Sequence, residues 1–300
     1  MLVLTRAEVE ELLDLDALVE ALAAAHAALS AGNASLPPRV AAFTGDGLLG
    51  AMPGYVAGAG LGAKLVSLFP GNTPPVPTHQ AAIALFDERT GALTAVMDGT
   101  YITAVRTAAA AALATRLLAR SDAKVLAILG TGVQSRAAQE IFPRVRDFTD
   151  VRVAGRGEFE DAVRGADVVH CATHSAEPIL LANWLERGAH VSSVGYNAPG
   201  SELDPAIVER ADVICIESRD SALAPPPAGA PELAVVDRDT VVEIGELVAG
   251  TRPGRTSAEQ STLYKSVGVA VQDLAAAAIV LAAAKERGAG LEIELEEVHA

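Results

Sequence analysis

The chain is poor in cysteine and in positive charge, and it has neither a long uninterrupted apolar run nor a leader-like start. Its two cysteines, Cys171 and Cys215, lie in the apolar strand-like runs Val168-Val-His-Cys and Val213-Ile-Cys-Ile. Without CxxC spacing, and with the six histidines scattered, they read as buried free thiols, and no metal site is expected. Basic residues number 23 against 38 acidic ones, a net charge of −15. Phosphate neutralisation needs clustered Lys and Arg, and none cluster here, so a nucleic-acid partner is excluded. The most apolar stretch, Val267 to Ala284, carries Gln272 and Asp273, both costly in lipid, so no membrane span is expected. Met1-Leu-Val-Leu-Thr-Arg6 lacks a basic segment followed by an apolar one, which predicts a cytoplasmic address.

What is present is ample material for a globular enzyme: half the 300 residues are apolar and a fifth charged, and the length calls for two domains. Thr5 with Glu8 forms a capping-box pattern, and helical periodicity follows from Val9 to Gly32, with a break at Asp14-Leu-Asp16. From Leu36 to Asp98 short β-like pieces alternate with Pro and Gly, among them 40–43, 64–69 and 81–86, predicting a mostly antiparallel sheet. An Ala-rich helix is expected from Tyr101 to Arg120, with Thr100 as its cap. Beyond Asp122, strands at 124–129, 151–154, 168–171, 190–194 and 212–217 alternate with helical segments, the pattern of a doubly wound parallel sheet. A last long helix runs from Gly268 to Arg287 and stops at Gly288, and the tail from Leu291 returns to the first domain. The expected fold is therefore α/β: a Rossmann domain at 116–278, and a second α+β domain at 1–115 completed by 279–300.

The strongest local motif is Gly130-Thr131-Gly132-Val133-Gln134-Ser135, set between a strand and a helix. Gly130 permits a tight turn, Gly132 lets backbone amides approach a pyrophosphate, and small Ser135 allows close helix packing. This context predicts a bound dinucleotide. At the end of the next strand stands Arg156 rather than a carboxylate, which suits the 2′-phosphate of NADP; NAD remains possible if Glu158 turns back to the ribose. Three cations stand out in apolar surroundings: Lys64, Arg106 and, after Pro37-Pro38, Arg39. A guanidinium fork matches a substrate carboxylate, and a desolvated lysine can exchange protons. Taken singly, each is equally compatible with an ordinary ion pair.

Together these segments resemble the ornithine cyclodeaminase/mu-crystallin family, which includes ketimine reductases and archaeal alanine dehydrogenases. The resemblance rests on Pro37-Pro-Arg39, Gly62-Ala-Lys64 to Pro70-Gly-Asn72, Asp98-Gly to Arg106-Thr-Ala-Ala, Gly130 to Gln134 and Lys265-Ser-Val-Gly-Val-Ala-Val-Gln-Asp273. It covers nearly the whole chain in family order. It implies a homodimer and an N-terminal substrate and dimerisation domain. It also implies that Arg39, Lys64 and Arg106 hold a substrate carboxylate, with Lys64 serving in proton transfer. Met52, Thr78 and His79 match pocket-lining stretches, and Ser266, Val267 and Gly268 match a segment near the nicotinamide. Asn197 stands where the family's cyclodeaminases and alanine dehydrogenases carry a catalytic aspartate, and an amide cannot accept a proton as a carboxylate does. Glu202 and Asp204 match the structural segment that follows. The expected activity is reduction of a cyclic ketimine, pyrroline-2-carboxylate or piperideine-2-carboxylate, with NADPH. The alternatives are ornithine cyclodeamination, an alanine or N-substituted amino acid dehydrogenase, and a non-catalytic NADPH-dependent ligand binder.

Overall fold

The computed structural model describes residues 1–195, 200–226 and 228–295, in two compact units: Met1–Arg106 with Val269–Ala300, and Thr107–Gly268. The expected divisions at 115/116 and 278/279 fall inside helices. The early part of the Ala-rich helix and the whole of the last one belong with the first unit, where Arg106 bonds to Gln272 and Asp273, Asp273 to Lys64 and Gln272 to His26. Among the described residues no helix is long and apolar enough to cross a membrane. Nor do any three His, Cys, Asp or Glu among them gather as metal ligands. Cys171 and Cys215 are buried free thiols.

The first unit begins with β1 (Leu2–Leu4), α1 (Arg6–Leu12) and α2 (Leu15–Ser30). Thr5 and Glu8 form the capping box reciprocally, and Asp14 caps α2 after the break. Strands β2 (Ala34–Ser35), β3 (Val40–Phe43), β4 (Leu48–Val56), β5 (Gly60–Leu68), β6 (His79–Phe86) and β7 (Leu93–Asp98) follow. All pair antiparallel with their neighbours except β1 with β7, which is parallel. Strand β4 hides from a simple alternation rule because Gly50, Pro53 and Gly54 interrupt it. On one side β4 pairs with β3 through Leu48–Ala51 and with β2 through Tyr55–Val56, so Pro53 lies in the gap, where no ladder bond is asked of it.

Helix α3 (Thr100–Leu118) is capped not by Thr100 but by Asp98, whose Oδ2 accepts from the Tyr101 amide at 2.8 Å; Thr100 Oγ1 instead accepts from Ala81 N. Among its described residues the second unit holds seven parallel strands: β8 (Val125–Leu129), β9 (Asp150–Ala154), β10 (Val168–Cys171), β11 (His190–Ser193), β12 (Val213–Ile216), β13 (Val242–Glu243) and β14 (Thr262–Lys265). Their order is β13-β12-β14-β11-β10-β8-β9. Helices α4 (Val133–Val145), α5 (Phe159–Val163), α6 (Pro205–Arg210), α7 (Arg219–Ala222) and α8 (Ile244–Val248) lie on the connections. The chain then returns to the first unit as α9 (Ala270–Arg287), ended by left-handed Gly288, and β15 (Leu291–Glu292), which pairs with β1.

Helix α9 packs on β4, β5 and β6. Two glycines let it come close: a Cβ at Gly62 would stand 2.8 Å from Leu274 Cδ2 and 2.5 Å from the Ala84 carbonyl, and one at Gly54 would stand 3.2 Å from Ala270 Cβ. On this covered face Lys64 lies directly between Met52 of β4 and Ile83 of β6.

In the second unit His170 and His190 are fully buried on neighbouring strands, their Nδ1 atoms bonded to Ser192 Oγ and Thr262 Oγ1. Burial pushes both down to about 3, and at His190 the charges of Arg255 and Arg146 add to it. An unfolded chain takes up these protons near pH 6.5, whereas the folded one refuses them until about 3. Stability is therefore complete above pH 6.5 and falls as the pH drops through that window. Denaturant unfolding at pH 5 should show a loss of about 2 kcal/mol per histidine relative to pH 7.5. The paired substitution His170→Asn and His190→Asn should flatten that dependence; equal stability of the unmodified protein at both pH values would contradict it.

Candidate active site

Each unit assembles one cluster of chemical interest. In the first, Lys64 of β5 and Arg106 of α3 meet at Asp273 in the first turn of α9, all three at most 5% exposed. The Lys64 ammonium reaches both carboxylate oxygens, at 3.0 Å to Oδ1 and 2.9 Å to Oδ2. Arg106 Nε donates to Oδ1 at 2.9 Å, and its Nη1 donates to Gln272 Oε1 at 2.7 Å. Because that oxygen faces a donor-only guanidinium, the Gln272 amide nitrogen points to His26, 3.1 Å from Nε2, which must then act as acceptor. Two cations share one carboxylate, so the cluster carries a net positive charge in a water-poor setting. Burial pushes Lys64 down to about 8, with the Arg106 charge next and that of Arg39 smaller; Asp273 works against them.

Of the residues singled out from sequence, Lys64, Arg106 and Met52 are brought together, and half-exposed Arg39 is near enough for its charge to act on Lys64. Thr78 and His79 are exposed at the start of β6, with His79 on the Lys64 face but opposite Leu68, four cross-strand pairs along. Asp273, Gln272 and His26 were not anticipated as site residues. Their one signal was polarity: Gln272 and Asp273 interrupt the most apolar stretch of the chain.

In the second unit the chain leaves β8 for β9 on one side and then crosses to β10 on the other, and ligands bind at the carboxyl ends of strands where the winding reverses. Gly130 stands at that point with φ +125°. A Cβ there would lie 2.6 Å from the Ala172 carbonyl, so only glycine lets the turn pass. Gly132 is the N-cap of the 13-residue α4, no side chain caps that helix end, and a Cβ at Gly132 would meet nothing within 4 Å. The uncapped amides and positive end of α4 thus front open space, which fits a pyrophosphate. Ser135 is fully buried behind Thr131 to Gln134. After β9, Arg156 is exposed, while Glu158 folds back so that its Oε2 accepts from the Gly155 amide at 3.2 Å.

Two further buried carboxylates shape this end of the sheet. Glu217 accepts from Ser266 Oγ at 2.5 Å, Val267 N at 3.1 Å and Gly268 N at 2.9 Å, fixing the backbone of 266–268. Glu202 accepts from Thr173 N and Oγ1, Ser193 Oγ and Gly195 N, and Asp204 caps α6. Lys265 pairs with Glu232 at 2.9 Å. Asn197 lies outside the described residues.

A family model described as ornithine cyclodeaminase/mu-crystallin matches residues 1–159 and 155–288. The chain belongs to that family. A ketimine reductase mu-crystallin of Mus musculus is 39% identical over 256 residues, 78% of this chain and 80% of that one. The solved structure of a Thermococcus litoralis delta(1)-pyrroline-2-carboxylate reductase, in complex with NADH and L-proline, has TM-score 0.90 and 30% identity, covering 98% of this chain and all of the other. An archaeal alanine dehydrogenase dimer with bound NAD has TM-score 0.91 and 31% identity over 99% of both chains.

Within this family fold the glycine turn gives a direct test. Gly130→Ala should weaken NADPH or NADH binding, followed by nucleotide fluorescence, roughly tenfold or more, about 1.4 kcal/mol, with the circular dichroism spectrum retained. Unchanged affinity would mean that the turn does not seat the nucleotide.

Proposed function

We propose that this protein reduces a cyclic α-imino acid, pyrroline-2-carboxylate or piperideine-2-carboxylate, to the L-amino acid in the cytoplasm, with NADPH preferred and NADH possible. It is a nicotinamide-dependent oxidoreductase acting on CH–NH bonds. The observation that carries this reading is the Lys64–Asp273–Arg106 cluster, a buried receptor with positive charge left over for one carboxylate. The first unit is the substrate and dimerisation domain, and the second holds the nucleotide at Gly130 to Ser135.

Bound there, a reduced nicotinamide supplies the hydride. The chain's own residues do the rest. Arg106, with Arg39, clamps the substrate carboxylate; the Lys64 ammonium neutralises that carboxylate and holds the proton required at the imine nitrogen. The carbon gains hydride, the nitrogen gains this proton, and a secondary amine results. Lys64's strand neighbours Met52 and Ile83 are apolar, which supports a hydrocarbon ring rather than a second charged arm. Thr78, His79 and Ser266 to Gly268 would border the substrate and the nicotinamide. Asn197 in place of a carboxylate favours simple imine reduction over the repeated proton transfers of ornithine cyclodeamination. The guanidinium of Arg156 supports NADP through its 2′-phosphate, while the folded-back Glu158 is the group through which NAD would compete.

A homodimer is supported by the sheet of the first unit. The face away from α9 exposes Val40, Leu49, Leu61 and Leu65, with Ala51 between Val40 and Leu65, and an apolar sheet face of this kind needs a cover. The relative described as a dimer agrees. Leu65→Glu should shift the protein from dimer to monomer in sedimentation analysis; a wild-type monomer, or an undisturbed dimer in the variant, would refute this arrangement.

Turnover should appear as loss of nicotinamide absorbance with a five- or six-membered ring imino acid. Because Lys64 loses its proton as the pH rises through about 8, kcat/KM should fall on the alkaline side of that value. Lys64→Ala should lose roughly 10²-fold or more. Ornithine converted to proline and ammonia without net cofactor use would establish cyclodeamination instead. Turnover confined to pyruvate with ammonia or an amine would establish the amino acid dehydrogenase, and ligand binding without turnover the binder.

A further inference from the structure

Gln272 and Asp273 stand side by side at the start of α9, both fully buried in a helix otherwise built at that level from Ala, Val and Leu. Burying an amide and a carboxylate is costly unless both are paired, and here each is paired twice. Asp273 Oδ1 accepts from both Lys64 and Arg106, while its Oδ2 lies at ion-pair distance, 2.9 Å, from the Lys64 ammonium without a hydrogen bond of its own. Gln272 takes Arg106 Nη1 on its oxygen and gives its nitrogen to His26. Resting on the reading that Lys64 and Arg106 receive the substrate's carboxylate, we propose that Asp273 is a positioning residue for that receptor. It sets the spacing of the two cations and leaves them one net positive charge, while Gln272, backed by His26, fixes the second edge of the guanidinium.

Three arguments converge. Two cations on a common point repel each other, and in a low-dielectric interior only a shared anion keeps them together. That anion lies in the first turn of α9, where the positive end of the helix dipole favours it. The guanidinium is held at Nε and Nη1, which fixes its plane and uses two of its five N–H donors, so the fork keeps donors for a ligand in a set orientation. The charged and titratable groups concerned are Lys64, Arg106, Arg39, Asp273 and His26. Asp273 also raises the proton affinity of Lys64, against the pull of burial and of the two arginines.

The test uses pyrrole-2-carboxylate, a planar ring acid that cannot accept hydride, titrated into the full-length protein in the presence of NADPH from pH 6 to 9.5. Asp273→Asn removes the charge with little change of shape. It should weaken probe binding roughly tenfold and move the alkaline limb of that affinity to lower pH, with NADPH affinity retained as the sign of a folded chain. Asp273→Glu keeps the charge but displaces it by one methylene; it should weaken binding while leaving the limb near its original pH. Gln272→Met should weaken binding without moving the limb, since the Lys64–Asp273 pair is intact. A folded Asp273→Asn protein that binds the probe as tightly as the parent with its limb in place overturns the proposal, as does an Asp273→Glu protein with unchanged affinity. The readout is binding, so a parent protein that reduces no imine yet binds the probe through Asp273 would sink the reaction above and leave this inference standing.

Discussion

One carboxylate shared by two buried cations organises the first unit. Lys64 and Arg106 come from a strand and a helix far apart in sequence, and Asp273 from a third element more than 160 residues beyond Arg106. The three meet only if α9 lies almost in contact with the sheet. That closeness is written into small side chains: Gly54 and Gly62 on the strands, and the alanines of α9. Leu274 then presses onto the glycines while its neighbour Asp273 reaches the lysine. Packing and electrostatics are thus a single constraint, since a methyl group added at Gly62 would push away the helix that carries the counter-ion.

The second unit solves a different problem with a different device. Its strands end at a switch point where Gly130 must pass the Ala172 carbonyl, and the uncapped start of α4 faces open space. Buried carboxylates there are saturated by backbone amides and hydroxyls, Glu217 holding 266–268 and Glu202 holding 173, 193 and 195. They shape the loops and leave the chemistry to what the loops bind. In the first unit, by contrast, the carboxylate leaves its cations in charge excess. On the proposed reading, the second unit seats the nucleotide and the first receives the acid.

Much of this was legible in the sequence wherever one rule spoke alone. The Thr5–Glu8 capping box, the break before α2, the glycine turn and the stop at Gly288 each follow from local backbone chemistry. Strand β4 was obscured by its own glycines and proline, which are there for helix contact and for a gap in the ladder, needs that exist only in three dimensions. The Asp98 cap displaced Thr100 because Thr100 was engaged by Ala81, again a tertiary preference. Lys64 and Arg106 could be picked out as cations in apolar surroundings. Their counter-ion could not be assigned, because an isolated polar pair in an apolar helix gives no address for its partner, and His26 looked like any helical histidine. The apolar face of the sheet was equally hidden, since Val40, Leu49, Leu61 and Leu65 align only once the strand register is known.

The central claim is that hydride passes to the α-carbon of a ring imine whose carboxylate is held by this cluster. It is tested most directly by following the transferred atom: pyrroline-2-carboxylate is incubated with NADPH carrying deuterium at C4, and the isolated proline is examined by mass spectrometry and NMR. The account predicts one deuterium, at the α-carbon, from one of the two C4 faces of the nicotinamide. Proline without cofactor-derived deuterium from either face, or no proline at all, would contradict it.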